Sequence, residues 1–215
     1  MKDIIIAGIQ WSWKGTQCKK LLDTYWTNIR YFEAGWILRA LQSSDNAVWN
    51  YIWSVIDKWN LLKDEFMIKV FDLFLATIEG KENMLVDWFP RQKRQMELFL
   101  ERMTSAKRNM VVVVLEISKD EAIKRLWNRR MCKKCGEILN VEIHGNIAVC
   151  PSCWGNDLYQ RIDDKDQQAI EKRIWLYEEL TVPVIAYLEQ LWLVKRINGE
   201  QSIEKVFQDI EQVIS

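Results

Sequence analysis

Asp3-Ile4-Ile5-Ile6-Ala7-Gly8, followed by Ile9-Gln10-Trp11-Ser12-Trp13-Lys14-Gly15-Thr16-Gln17, is the stretch that decides the fold. The first six residues read as a short buried strand entering a turn. A phosphate-binding loop asks for Gly-x-x-x-x-Gly-Lys after a strand and before a helix, so that backbone N–H groups can cradle an anion at the helix N-terminus. Gly8, Lys14 and Thr16 are in place, but Trp13 stands at the required second glycine. A tryptophan there carries a Cβ and an indole into the phosphate's space, and it resists the positive φ that such loops use. Taken literally, the loop is blocked.

Working outward, Met84–Asp87, Met110–Ile117 and Leu193–Ile197 are further short apolar runs, suited to a parallel sheet covered on both faces. Helical patterns lie between them: one from Lys19, then Gln95–Met103, Lys119–Leu126, Gln168–Leu191 interrupted near Pro183, and Ser202–Ile214 with apolar 3–4 spacing. Alternating strand and helix implies a three-layer α/β fold. Two stretches break the rhythm, about 33–62 (helical, strandless) and about 130–163 (rich in Cys and polar residues). The 215 residues suit one domain carrying small inserts. With 49% hydrophobic residues there is ample core, and disorder is excluded. Thirty basic and thirty acidic residues cancel, which argues against a general nucleic-acid binder. No stretch approaches the ~18 apolar residues of a membrane span, and the apolar run at the N-terminus is too short for a signal peptide.

Cys132-Lys-Lys-Cys135 and Cys150-Pro-Ser-Cys153 are two C-x-x-C pairs separated by 14 residues. Four thiolates delivered by two tight turns make the closed tetrahedral site of structural Zn²⁺. A closed site has no open position for substrate, so the metal is structural. Thiolate zinc points to a reducing compartment, and a cytoplasmic location is expected. Cys18 stands outside this box as a lone buried thiol. His144, between the knuckles, reads as a surface hairpin residue.

The sequence resembles the adenylate kinase family, in its form with a zinc-bearing lid, essentially end to end. The family's first loop, G-x-x-G-x-G-K-G-T-Q, corresponds to Gly8–Gln17 with Trp11 and Trp13 at two glycines. Its D-G-F-P-R corresponds to Asp87-Trp88-Phe89-Pro90-Arg91, with Gln95 four residues on. Its R-x-x-G-R-R corresponds to Arg125-Leu-Trp-Asn-Arg129-Arg130, its Q-R-x-D-D to Gln160-Arg161-Ile162-Asp163-Asp164, and a later helix arginine to Arg173.

The resemblance implies a parallel five-stranded sheet and three parts. These are a core (1–32, 63–125, 165–215), a nucleoside-monophosphate insert (33–62) and a zinc lid (126–164). It implies Mg²⁺-dependent transfer of the ATP γ-phosphoryl to AMP, giving two ADP, by a monomer. It assigns Lys14, Asp87, Arg91, Arg125, Arg161 and Arg173 to catalysis. ATP falls to Gly8, Trp11, Ser12, Trp13, Lys14, Gly15, Thr16, Arg125, Arg129, Ile138, Leu139 and Glu200. AMP falls to Ala34, Gly35, Arg39, Asn60, Leu61, Leu62, Trp88, Arg91, Gln95, Arg161 and Arg173. Asp87 resembles the acid that holds the metal through water, with Thr16 near Mg²⁺. Asp163 and Asp164 orient arginines or latch the lid. Ile138-Leu139 packs on adenine, or alternatively forms hairpin core. The chain departs from the family at S-T-G-D, here Glu33-Ala34-Gly35-Trp36, so the Thr hydroxyl is missing. The cations Lys124, Arg125, Arg129, Arg130, Lys133 and Lys134 fall within eleven residues that hold no acid, as an anion clamp or a solvated face.

Composition carries one further anomaly: 12 Trp beside only 8 Gly. Trp11, Trp13, Trp26, Trp49, Trp59, Trp88, Trp154 and Trp192 fall where the family has, or usually has, glycine. Trp36, Trp53, Trp127 and Trp175 fall at variable positions. Exchanging all twelve would bring glycine to 20, about 9% of the chain, near ordinary usage. The codon UGA means Trp in some genetic codes and Gly in others. The expectation is therefore a glycine-bearing protein read with the wrong code. The alternatives are a kinase for UMP or CMP, against which Gln95 argues, and, if the tryptophans are genuine, a zinc-ribbon scaffold with a dead nucleotide site. RNA binding through the basic ribbon is a third alternative.

Overall fold

The structure, a computed structural model, describes every residue except 1, 26, 41–45, 59, 79–81, 146, 162–163 and 215. Five parallel strands form the central sheet: β1 (Asp3–Gly8), β2 (Ile29–Glu33), β3 (Asn83–Asp87), β4 (Met110–Glu116) and β8 (Val194–Asn198), in the order β2-β3-β1-β4-β8. Side chains alternate across it, as strand geometry requires. Ile5, Phe32, Met84, Val86, Val112 and Val114 face one layer, with α4 (Asp64–Leu75), α5 (Lys93–Ser105) and α9 (Val182–Gln190) packed on them. Ile4, Ile6, Leu85, Val111, Val113 and Leu115 face the other, covered by α1 (Lys14–Tyr25) and α10 (Ile203–Ile214). Both faces are therefore dry, and the three-layer α/β fold read from the sequence is the fold observed.

Three boundaries differ from expectation. The strand β2 was not read, because Arg30 and Glu33 break its apolar run; only Ile29 and Phe32 are buried. The helix α1 starts at Lys14 rather than Lys19, because the phosphate-loop lysine already lies in its first turn. The long C-terminal pattern divides into α8 (Gln167–Leu176), a π-turn at Tyr177–Thr181 and α9, with Pro183 in the first turn of α9. A proline lacks the N–H that the preceding turn would bond, and a wider turn there absorbs the loss.

Two helical pieces, α2 (Ala34–Ala40) and α3 (Ala47–Ile56), follow β2. After α6 (Lys119–Trp127) comes a small antiparallel sheet, β6-β5-β7, of β5 (Arg129–Cys132), β6 (Ile138–Asn140) and β7 (Leu158–Tyr159), with a helical turn α7 (Val141–His144). This part has its own minimal core of Cys132, Leu139 and Cys150. His144 lies on α7 rather than in a hairpin, and its Nδ1 contacts the Asn140 backbone instead of the cysteines.

Candidate functional site

In a parallel sheet, ligands settle at the strands' carboxyl ends where chain order reverses. Here that place is the end of β1, between β3 and β4, with Ile6 level with Asp87 and Gly8 level with Leu115. A Cβ on Gly8, whose φ is +147°, would meet Leu115 O at 2.5 Å, so only glycine fits. Lys14 folds back into the loop it opens: its Nζ donates to Gly8 O (2.9 Å) and Ile9 O (2.7 Å). Burial lowers the Lys14 pKa to about 8, against the pull of Asp87.

Cations converge on this loop and on Trp88 at the end of the neighbouring strand. Arg91, beyond β3, lies 3.8 Å from the Trp88 ring centroid, and Lys14 Nζ lies 4.5 Å from the same ring. Arg125, at the end of α6, sits 5.1 Å from the Trp13 ring. Arg173 of α8 and Arg129 of β5 sit 4.7 and 5.6 Å from the Trp11 ring. Burial lowers the Arg91 pKa to about 10. Arg125 is anchored by Glu121 at 2.6 Å, yet its NH1 is buried with no hydrogen bond. A buried guanidinium N–H held open in this way is a ready donor for an anion. Arg129 makes a two-pronged bond to the fully buried Asp164, 2.6 and 2.5 Å, and Arg173 lies 3.7 Å from the same carboxylate. Asp164 therefore orients two of the converging cations. Asp163 lies outside the described residues. Arg161 is half-buried, and its carbonyl accepts from the Asp164 N–H at 3.1 Å.

Asp87 closes the floor. Burial raises its pKa, opposed by Lys14. Its Oδ2 accepts from Tyr31 at 3.1 Å, and its Oδ1 is buried with no hydrogen bond. An orphaned carboxylate oxygen beside a phosphate loop fits a hydrated divalent cation; Thr16, half-buried in the first turn of α1, lies on the same loop.

A cavity of about 280 Å³ opens beside the loop, lined by Trp13, Glu121, Arg125, Asn140, Glu200 and Ser202 among others. Glu200 Oε1 accepts from the Ser118 backbone N–H at 2.7 Å. Of the two residues expected at adenine, Leu139 is buried with Cys132 and Cys150, and Ile138 is exposed. A second cavity, about 350 Å³, is lined by Tyr31, Glu33, Trp36 and Ile37. Beside it Ala34 is buried, and a Cβ on Gly35 would come within 2.9 Å of Arg39 NH1. Arg39 itself is held by Glu33 at 3.0 Å. Gln95 is buried, its Oε1 accepting from the Arg91 N–H at 3.1 Å. Asn60 Oδ1 accepts from Lys172 at 2.8 Å, Leu61 is half-buried and Leu62 is buried.

The basic run resolves into two kinds of residue. Arg125 and Arg129 face the loop, while Lys124 and Lys133 pair at the surface with Glu142 and Asp157. None of these acids, nor Glu121, Glu33 or Asp164, lies in the run itself, so their pairing was not readable there.

The thiolates of Cys132, Cys135, Cys150 and Cys153 lie within 4.8 Å of one another, with Cys132–Cys153 at 3.5 Å and Cys135–Cys150 at 3.6 Å. A tetrahedral ion with 2.3 Å bonds to sulfur sets its ligands about 3.8 Å apart, so the four fit one zinc-sized ion.

Six described non-glycine residues have positive φ, and five of them are tryptophans: Trp11 (65°), Trp13 (65°), Trp88 (55°), Trp154 (57°) and Trp192 (60°); the sixth is Lys107. At about 1–2 kcal/mol for each left-handed non-glycine residue, the five cost about 5–10 kcal/mol, comparable with a domain's whole stability. The indole N–H groups of Trp11 and Trp88 are also buried with no hydrogen bond. Trp49 lies in α3 with ordinary helical geometry, and Trp26 and Trp59 lie outside the described residues.

A glycine-pivoted loop at the sheet's switch point, a loop lysine, converging arginines and a carboxylate at the next strand end define a nucleotide-dependent phosphotransferase of the nucleoside monophosphate kinase type. Residues 6–192 match the adenylate kinase family. The chain is 33% identical to the adenylate kinase of Lactobacillus helveticus over 222 residues, covering 100% of this chain and 99% of that protein. It is likewise 33% identical to the adenylate kinase of Bacillus cytotoxicus over 216 residues, 99% and 98% of the two chains. The chain belongs to the adenylate kinase family.

Proposed function

We propose that the protein transfers the γ-phosphoryl group of Mg²⁺-ATP reversibly to AMP, forming two ADP and balancing the adenine nucleotide pool. The observation that carries this reading is the convergence of Lys14, Arg91, Arg125, Arg129 and Arg173 on the side chains of Trp11, Trp13 and Trp88 at the sheet's switch point. Phosphoryl transfer demands positioning and charge neutralisation more than covalent chemistry, and this constellation offers both.

In this reading Lys14 holds the β- and γ-phosphates, with the loop from Gly8 to Thr16 beneath them. Arg125 and Arg129 approach from the lid side, beside the Glu200 cavity that takes the ATP base. Arg39 and Arg91 take the AMP phosphate, and Arg161 and Arg173 steady the phosphoryl in flight. Ala34, Gly35, Asn60–Leu62, residue 88 and Gln95 wall the AMP site. Gln95 must exchange its bond to the Arg91 backbone for the adenine edge. Glu33 must likewise yield Arg39 to the incoming phosphate. Asp87 and Thr16 would hold Mg²⁺, which supplies neutralisation of the polyphosphate charge. The three-part division proposed from the sequence lets the insert (33–62) and the zinc lid (126–164) close over the core and exclude water. Zinc on the four cysteines stiffens the lid. We place the enzyme in the cytoplasm, where a reducing environment keeps the four cysteines available to zinc. We take it to act as a monomer.

The test is a coupled assay of ADP formation from ATP with AMP, CMP or UMP as acceptor. Preference for a pyrimidine nucleotide would leave the fold reading intact and replace the acceptor.

A further inference from the structure

We infer that the protein made in its source cell carries glycine at the tryptophan positions, and that the indoles found there occupy its phosphate cradle. The second zinc knuckle supplies an internal control. In the first, Gly136 follows Cys135 at φ 74° and its N–H bonds the Cys132 carbonyl at 2.8 Å. In the second, Trp154 follows Cys153 at φ 57° and its N–H bonds the Cys150 carbonyl at 2.9 Å. The N–H of each knuckle's first cysteine also bonds the carbonyl five residues on, Glu137 at 3.0 Å and Gly155 at 2.8 Å. The same turn is made twice, once with glycine and once with tryptophan, and Trp154 is 82% exposed.

Trp192 repeats the pattern at the end of α9. Its N–H bonds Glu189 O and the next N–H bonds Leu188 O, the double bond pattern that ends helices on a left-handed residue, most often glycine. Its side chain is 92% exposed. Lys107 shows that another residue can fill such a position, but no ordinary preference puts tryptophan, a bulky aromatic, in five of six. Trp36, Trp53, Trp127 and Trp175 are exposed as well, so burial gives them no purpose.

The three indoles of Trp11, Trp13 and Trp88 are the groups on which Lys14, Arg91, Arg125, Arg129 and Arg173 converge. An aromatic face attracts cations as a weak substitute for an anion. Glycine at these three positions removes the rings, relieves the left-handed strain and leaves a cavity ringed by five cations. One substitution type at twelve scattered positions fits a single reassigned codon, UGA read as glycine, better than decay into many residue types.

The inference concerns the chain itself, and deepens the kinase reading by opening its ATP site. Its test therefore does not use catalysis. Peptide mass spectrometry on protein isolated from its source cells reads glycine at all twelve positions, and tryptophan at any of the five left-handed ones overturns the inference. Full-length proteins made with glycine or tryptophan at all twelve then differ: the glycine form melts on the order of 10 °C higher or more and binds a fluorescent ATP analogue, which the tryptophan form does not. Equal melting and equal binding contradict the argument. If glycine is found and AMP is not phosphorylated, the kinase reading falls and this inference stands.

The geometry also assigns Tyr31 as a positioning residue for Asp87. The Tyr31 hydroxyl reaches two carboxylates, Asp87 Oδ2 at 3.1 Å and Glu33 Oε2 at 3.4 Å, and the shorter contact favours Asp87. This fixes Asp87 and leaves Oδ1 for the hydrated ion. Outer partners of this kind change metal affinity by ~10–100-fold. Tyr31→Phe in the full-length enzyme should weaken Mn²⁺ binding to the enzyme–ADP complex, read by electron paramagnetic resonance, by about tenfold. Tyr31→His, which restores a donor, should recover part of the loss. Unchanged Mn²⁺ affinity in a folded Tyr31→Phe protein overturns the assignment.

Discussion

Replacing Asp164 by Asn tests whether a single buried carboxylate holds the lid's entry to the core. Asp164 is wholly buried, while Arg129 and Arg173 retain only 12% and 17% side-chain exposure. The amide keeps the shape and one acceptor but removes the charge and half of the two-pronged bond at 2.5 and 2.6 Å. Removing one partner of a buried pair costs about 3–5 kcal/mol, because the other charge stays behind. One acceptor survives, so about 3 kcal/mol is expected here. For a chain of this size each kcal/mol moves the midpoint by ~2–4 °C. The nucleotide-free Asp164→Asn protein should therefore melt roughly 6–12 °C lower. The deficit should shrink when a bisubstrate analogue supplies phosphates to the stranded arginines. Thermal unfolding followed by circular dichroism, with and without analogue, measures both quantities. A melting temperature unchanged within about 1 °C would refute the latch and show that both guanidinium groups are solvated.

Three further outcomes are expected. Burial holds Lys14 near pKa about 8 while phosphate favours its charged form, so in a variant with glycine at every tryptophan position except 88, ATP affinity should fall as pH rises through about 8, up to tenfold per unit, with proton uptake on binding. Calorimetry in two buffers measures that uptake, and Trp88→Gly, by uncovering the ammonium, should move the limb to higher pH. Stripping zinc with a chelator, or Cys150→Ser, should unfold the lid while the five-stranded sheet survives, because among the described residues its own buried core is only Cys132, Leu139 and Cys150; loss of zinc in metal analysis with no change in thiol reactivity would contradict this. Gln95→Leu should raise the KM for AMP and erode discrimination against CMP and UMP while leaving KM for ATP alone, as steady-state kinetics can report.

Much of the fold was readable because β1, β3 and β4 are buried on both faces and so appear as unbroken apolar runs. The edge strand β2 escaped because Arg30 and Glu33 face polar surroundings there. At the site, Lys14 was legible from the loop spacing, and Asp87 and the arginines from the family resemblance. Their partners were not: Arg129 finds Asp164 35 residues away, and Tyr31 finds Asp87 56 residues away. Such pairs are made by sheet order and lid folding, not by local pattern. Leu139 shows the same limit from the other side. Its place beside Ile138 left adenine contact open, and only the closing of β6 on β5 sends it to the lid core. The tryptophans stood out by composition, but their left-handed backbone required the structure.

The most direct measurement of the central claim is ADP formation by the purified glycine-bearing full-length protein given Mg²⁺-ATP and AMP. The account predicts two ADP for each AMP consumed, with AMP preferred to CMP and UMP by well over ~10-fold. A folded, zinc-loaded protein that binds ATP but forms no ADP from AMP would contradict it.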